Sequence, residues 1–193
     1  MMATPRELKD QNGRAALNQF YKGIRCKGRP LLFLDFDDVI CLNKPYGGHD
    51  VIQSSSNAPA DLWDRLWNPP SVNALRDILA KHSPSIVITT SWLRFMERDG
   101  FVSLFRRTGL ETVAESLHEA WEAPQTHGST RLAAVETWLC KHHAGQSLVV
   151  LDDVQSGTGL RGSRLDKAGC VVLCEADVGL QEQHLHVVDK AFS

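Results

Sequence analysis

The chain has 193 residues and 21.5 kDa, with 42% hydrophobic and 23% charged residues and a formal charge of −2. That composition is ordinary for a soluble globular protein, and the length fits one domain with a sizeable core. No apolar run approaches the ~20 residues of a membrane span, and the near-neutral balance creates no general field for a polyanionic partner.

Residues 1–29 form a polar, partly helical lead with a weak helical pattern over 14–28. Met1–Gly13 lacks the apolar stretch of a signal sequence, so secretion is not expected. Five Cys, odd in number and without CxxC spacing, fit reduced thiols in a cytoplasmic protein. Leu31–Leu34 then runs without polar alternation, as a strand buried on both faces of a parallel sheet does. Its C-terminal end carries Asp35, Asp37 and Asp38, where open α/β sheets place their ligands. In extended chain Asp35 and Asp37 point the same way. Like charges packed together call for a divalent cation or a proton-handling role, and a solvated acidic turn is the plain alternative. Residues 41–68, rich in Gly, Ser, Asn and Pro, read as a flap over a site. Within it Trp63 and Trp67, at i and i+4, read as helix packing.

Ser71 is placed to cap a helix over Val72–His82. A second apolar strand, Ile86–Thr90, ends in Thr89, Thr90 and Ser91, hydroxyls able to donate to an oxyanion. Leu93–Thr108 reads as a helix stopped by Gly109. Ser129 or Thr130 caps another helix to about His143, with Leu132, Val135, Trp138 and Leu139 on one face. Leu148–Leu151 is a third strand, and Asp152 and Asp153 after it are hard oxygen ligands that suit Mg²⁺. A fourth strand, Cys170–Cys174, and a closing helix, Leu180–Phe192, complete the alternation. The order implies an α/β fold, a Rossmann-like parallel sheet with helices on both faces. Gly157–Gly162 satisfies GxGxxG, but the strand that follows leaves no room for the helix a dinucleotide site needs. It reads as a loop whose Arg161 and Arg164 can reach an anionic substrate.

Parallel strands would bring the three polar ends to one edge: a carboxylate nucleophile, a second carboxyl, a hydroxyl and a metal site, the set for phosphoryl transfer. Here the chain resembles the haloacid dehalogenase (HAD) superfamily of aspartate-nucleophile phosphohydrolases. The resemblance rests on Leu31–Val39, Ile86–Ser91 and Leu148–Asp153 and covers about residues 30–192. It implies a HAD-like domain over 30–193 with a minimal cap at about 41–68. It further implies Asp35 as nucleophile, Asp37 as acid and base, and Thr90 holding a phosphoryl oxygen, with Thr89 as the register alternative. Mg²⁺ would sit on Asp35, the main-chain carbonyl of Asp37, and Asp152 or Asp153. The expected cation is Arg131, with Arg94 and Lys141 as further candidates. Asp38 stands where the family usually has Gly, as a third metal carboxylate or a solvated turn residue. Ser91-Trp92 and Gly179-Leu180 loosely resemble a subgroup associated with RNA-repair proteins.

The expected function is a Mg²⁺-dependent phosphatase working through an aspartyl-phosphate. A small flap favours a large substrate, a nucleic-acid end or a phosphoprotein, with a small phosphoester as the other possibility. The rivals are a catalytically silent or regulatory HAD-like binding module and a receiver-type phospho-signalling domain. A receiver places its acidic pair first and its phosphoacceptor mid-chain, the reverse of the order here.

Overall fold

Leu31–Leu34 shows no polar position because its side chains enter two different interiors. Leu32 and Leu34 belong to one core and Leu31 and Phe33 to the other, and all four are buried. The computed structural model describes residues 5–24 and 28–193. Its elements begin with α1 (Pro5–Tyr21), β1 (Leu31–Leu34), α2 (Gly48–Asn57), α3 (Leu62–Arg65) and α4 (Pro69–His82). After β2 (Ser85–Ile88) comes a 3₁₀ turn, Ser91–Arg94, then α5 (Arg98–Arg107), α6 (Glu111–Glu115) and β3 (Leu117–Glu122). The rest is α7 (Arg131–His142), β4 (Leu148–Asp153), α8 (Arg164–Lys167), β5 (Val171–Cys174), a 3₁₀ turn at Glu182–His184, and α9 (Leu185–Phe192).

The strands form one all-parallel, Rossmann-like sheet in the order β3-β2-β1-β4-β5. The direction of winding reverses between β1 and β4, which makes the C-terminal edge there the ligand position of an open α/β sheet. One core joins Leu32, Ile88 and Leu151 to Leu75 of α4, Phe105 of α5 and Val188 of α9. The other joins Phe33, Val87 and Val150 to Leu17 of α1 and to Val135 and Trp138 of α7. Each such apolar side chain contributes about 1.5–3 kcal/mol on burial, so a sheet covered on both faces is well supported. Among the described residues no helix is long and apolar enough to cross a membrane.

Several boundaries differ from the sequence reading. The first helix starts at Pro5 and not at residue 14, because Gly13 is a contact and not a break. A Cβ there would lie 1.9 Å from the Cys140 carbonyl oxygen, so glycine lets α1 lie directly on α7. Residues 25–27 of the expected helix lie outside the described residues. Asn68, not Ser71, precedes the next helix, since Pro69 and Pro70 fill a first turn that needs no N–H partners. The expected helix Leu93–Thr108 is split between the 3₁₀ turn and α5, and Gly109 (φ 72°) does close it. The closing helix likewise begins with a 3₁₀ turn. Edge strand β3 escaped the pattern because its residues are half-buried or exposed and carry no apolar alternation. The flap contains α2 and α3, and Trp67 stacks on Trp92 with ring centroids 5.8 Å apart.

Candidate active site

The register continues one residue past the strand ends. Asp35 N–H donates to Leu151 O and Thr89 N–H donates to Leu34 O, both at 3.0 Å, so Asp35 stands between Thr89 and Asp152. Asp35, Asp152 and Asp153, all buried, bring carboxylate oxygens within 4.8 Å of one another. Arg131 enters this group from the first turn of α7, with 2% of its surface exposed. Its Nε lies 2.7 Å from Asp152 Oδ2, and its Nη2 lies 3.4 Å from Asp35 Oδ1. Two hydroxyls fix that helix start: Thr130 accepts from Ala133 N–H at 3.1 Å, and Thr158 from Arg131 N–H at 3.0 Å. The GxGxxG segment is therefore the brace that holds Arg131. Arg94, Lys141 and Arg161 are exposed, and Arg164 covers the Tyr21 ring at 3.9 Å.

Ser156 is the residue the sequence reading missed. Its hydroxyl lies 3.1 Å from Asp35 Oδ2 and from Asp152 Oδ1, and also meets Asp153. The available signal was its place in the turn directly after the acidic pair. One hydroxyl proton cannot satisfy three carboxylates. Three carboxylates and one guanidinium leave a formal charge of −2 in a buried space. Asp35 Oδ1 and Asp152 Oδ2 accept no well-aligned hydrogen bond despite their ion pairs with Arg131. A hard divalent cation such as Mg²⁺ fits an all-oxygen set of that charge.

Burial is the main cause that pushes Asp35 up to about 6 and Asp152 up to about 8. Neighbouring carboxylates add to the shift, and Arg131 opposes it. With carboxyls protonated in the fold and ionised in the unfolded chain, the unfolded state binds fewer protons. Metal-free stability therefore falls as pH rises from about 4 to about 8. Mg²⁺ should raise the melting temperature more at pH 8 than at pH 5, read by thermal denaturation with and without the ion. An equal shift at both values would remove the cluster as the binding place.

Asp35 and Asp37 have different partners. β1 ends at Leu34, and Phe36 O accepts the N–H groups of Val39, Ile40 and Cys41 in a tight turn. The Asp37 carboxylate faces the turn after β2. Both its oxygens lie 3.1 Å from Trp92 Nε1, and Ser91 Oγ donates to it at 3.1 Å. It adds no carboxylate to the buried group of three. Phe36, between the two aspartates, packs edge-on against Trp67, Trp92, Phe101 and Phe105 at 5.3–5.8 Å.

Asp38 is a tie between loops. It adopts φ 53°, and its Oδ1 accepts Asp177 N–H at 2.9 Å in the loop after β5, whose side chain pairs with Lys44 at 2.6 Å. Asp tolerates this left-handed conformation better than most residues, which accounts for a non-glycine here. Asp38→Ala should cost about 1–2 kcal/mol, and Asp38→Gly less, because glycine keeps the conformation and loses only the hydrogen bond. Denaturant titration of the two variants orders the losses. Thr90 Oγ1 accepts from Trp92 N–H at 3.4 Å as the cap of the 3₁₀ turn, whereas buried Thr89 Oγ1 has no hydrogen-bond partner.

The family described as the HAD domain in Swiss Army Knife RNA repair proteins matches residues 31–185. The chain belongs to this family. The match spans β1, β2 and β4 and every residue of the HAD site just described. No curated protein matches the chain. Among solved structures, the class C acid phosphatase from Bacillus anthracis is similar at 14% identity and a TM-score of 0.44. That similarity covers 97% of this chain and 85% of the other, and carries no activity across at such distance.

Proposed function

We propose that this HAD domain is a divalent-metal-dependent phosphatase that uses Asp35 as its nucleophile and acts on phosphorylated ends of nucleic acid. The observation that carries the reading is the buried group of Asp35, Asp152, Asp153 and Arg131 beside an Asp37 held separately. A nucleophile and a proton donor with distinct partners can act in sequence. An Asp35 oxygen attacks phosphorus and the bond to the leaving oxygen breaks, while Asp37 supplies that oxygen's proton. Asp37 then takes a proton from water, which attacks phosphorus and releases Asp35 and inorganic phosphate. Arg131 fixes the Asp35 carboxylate and offsets its charge. Thr89, unpartnered and beside Asp35, is better placed than Thr90 to donate to a phosphoryl oxygen. The bound cation, Mg²⁺ in this reading, would be held by Asp35, Asp153 or Asp152, and the Asp37 main chain, and supplies positive charge against the phosphate.

Nucleic acid as substrate is supported by the family's link to RNA repair and by a flap limited to two short helices. Cys41, Cys140 and Cys174 are free thiols, in keeping with a reducing, cytoplasmic setting. The test is phosphate release from an oligoribonucleotide bearing a terminal phosphate, with p-nitrophenyl phosphate as a generic ester. A chelator should abolish release from both, and Mg²⁺ should restore it. Turnover unaffected by the chelator would overturn the metal reading.

A further inference from the structure

Asp37 divides the site in two. On one side lies the carboxylate group; on the other lies a cavity of about 370 Å³ lined by Asp37, Asn43, His49, Ile52, Trp92 and Phe95, among others. If Asp37 protonates the leaving oxygen, the leaving group lies on the cavity side. We propose that this cavity is a nucleoside subsite, in which the base of the terminal nucleotide stacks on Phe95. Ile52 contacts the same base, and Asn43 and His49 meet its polar edge. The inference rests on the phosphatase reading and names the chemistry of its leaving group.

Three observations carry it. Ile52 (50% exposed) and Phe95 (40%) are large apolar side chains left open to solvent, and both line this cavity. Phe95 is backed by Trp92 at 5.9 Å, itself held by the Trp67 stack and by its N–H on Asp37. A rigid, solvent-facing aromatic surface is what sequence-tolerant base binding uses. The flap wall is fixed as well: a Cβ on Gly48 would lie 2.7 Å from Trp92 Nε1, so backbone rests directly on the indole.

Charge and size point the same way. No Lys or Arg is among the residues described as lining the cavity, so its occupant is not a second phosphate. An amide, an imidazole and an aromatic face match a planar heterocycle with hydrogen-bonding edges. The volume lies within the ~300–1,000 Å³ of small-molecule sites. A groove of about 390 Å³ lined by Trp63, Arg76 and Arg107 contains none of the catalytic groups. Its cations are engaged, Arg107 over the Trp63 ring at 4.3 Å and Arg76 on Gly109 O at 3.0 Å.

The experiment compares two oligoribonucleotides with a terminal phosphate, identical except that one has an abasic terminal residue, prepared for the 3′ and the 5′ end. The base-bearing substrate should be preferred in kcat/KM by about tenfold, the scale of one base–aromatic stack. Phe95→Ala should bring that ratio towards one, and Phe95→Trp should restore it. Equal rates for the two substrates, or a preference that survives Phe95→Ala, would overturn the subsite. So would a tyrosine-phosphorylated peptide hydrolysed in clear preference to both oligonucleotides. A binding measurement separates this idea from its parent reading. Asp35→Asn protein titrated with adenosine 3′- and 5′-monophosphate should show quenched tryptophan fluorescence that Phe95→Ala weakens about tenfold. Binding without turnover of any phosphoester by the unmodified chain refutes the phosphatase and keeps the subsite. Absence of binding refutes the subsite.

Discussion

Asp35→Asn is expected to reduce phosphate release by at least about a thousandfold, because the amide cannot form the acyl phosphate and no other group replaces it. The substitution keeps the side chain's shape and removes one of three buried carboxylates around a single guanidinium. The folded protein should therefore melt no lower than the unmodified chain, and in metal-free buffer somewhat higher. Release of phosphate from p-nitrophenyl phosphate and a thermal melt decide the matter together. Retained turnover would remove Asp35 as nucleophile. Lost turnover with a collapsed melt would show that the carboxylate is structural instead.

Arg131→Met should produce the largest loss of stability. The guanidinium is buried against Asp35 and Asp152, and removing it leaves three carboxylates with no cation in their interior. Breaking a buried ion pair by deleting one partner costs about 3–5 kcal/mol. The penalty should shrink as pH falls towards 4, where Asp35 and Asp152 are protonated in the fold and less negative charge is left without a cation. Mg²⁺ should also reduce it by returning positive charge to the group. Arg131→Lys keeps the charge without the planar fork and should fall between the two. Denaturant titrations at pH 5 and pH 8, with and without Mg²⁺, test all three statements; a loss independent of both pH and Mg²⁺ would show packing, not charge, to be the cause.

The sheet was readable from the chain because its central strands are apolar on both faces. Three runs marked β1, β2 and β4 and, with them, Asp35, Thr89–Thr90 and Asp152–Asp153. Arg131 was a candidate by position among helix starts, but its contact with the acids depends on Thr158, which approaches only after the chain has crossed from β3 to β4. The separate partners of Asp35 and Asp37 were not readable, since strand periodicity stops at Leu34 and a core contact of Phe36 takes over. Ser156 was hidden in the same way: a serine in a turn has no pattern of its own, and only the fold brings its hydroxyl to three carboxylates. Asp38 looked anomalous against its family, and its partner, the Asp177 amide, lies 139 positions away.

The Phe36 ring packs against four aromatic side chains, and its two neighbours are the proposed nucleophile and proton donor. Alignment of nucleophile and proton donor is thus inherited from tertiary packing, like two arms turned by one buried axle. Warming or mild denaturant that loosens that packing reaches those arms while the parallel ladder is still intact. Activity should accordingly be the first property to fade and secondary structure the last.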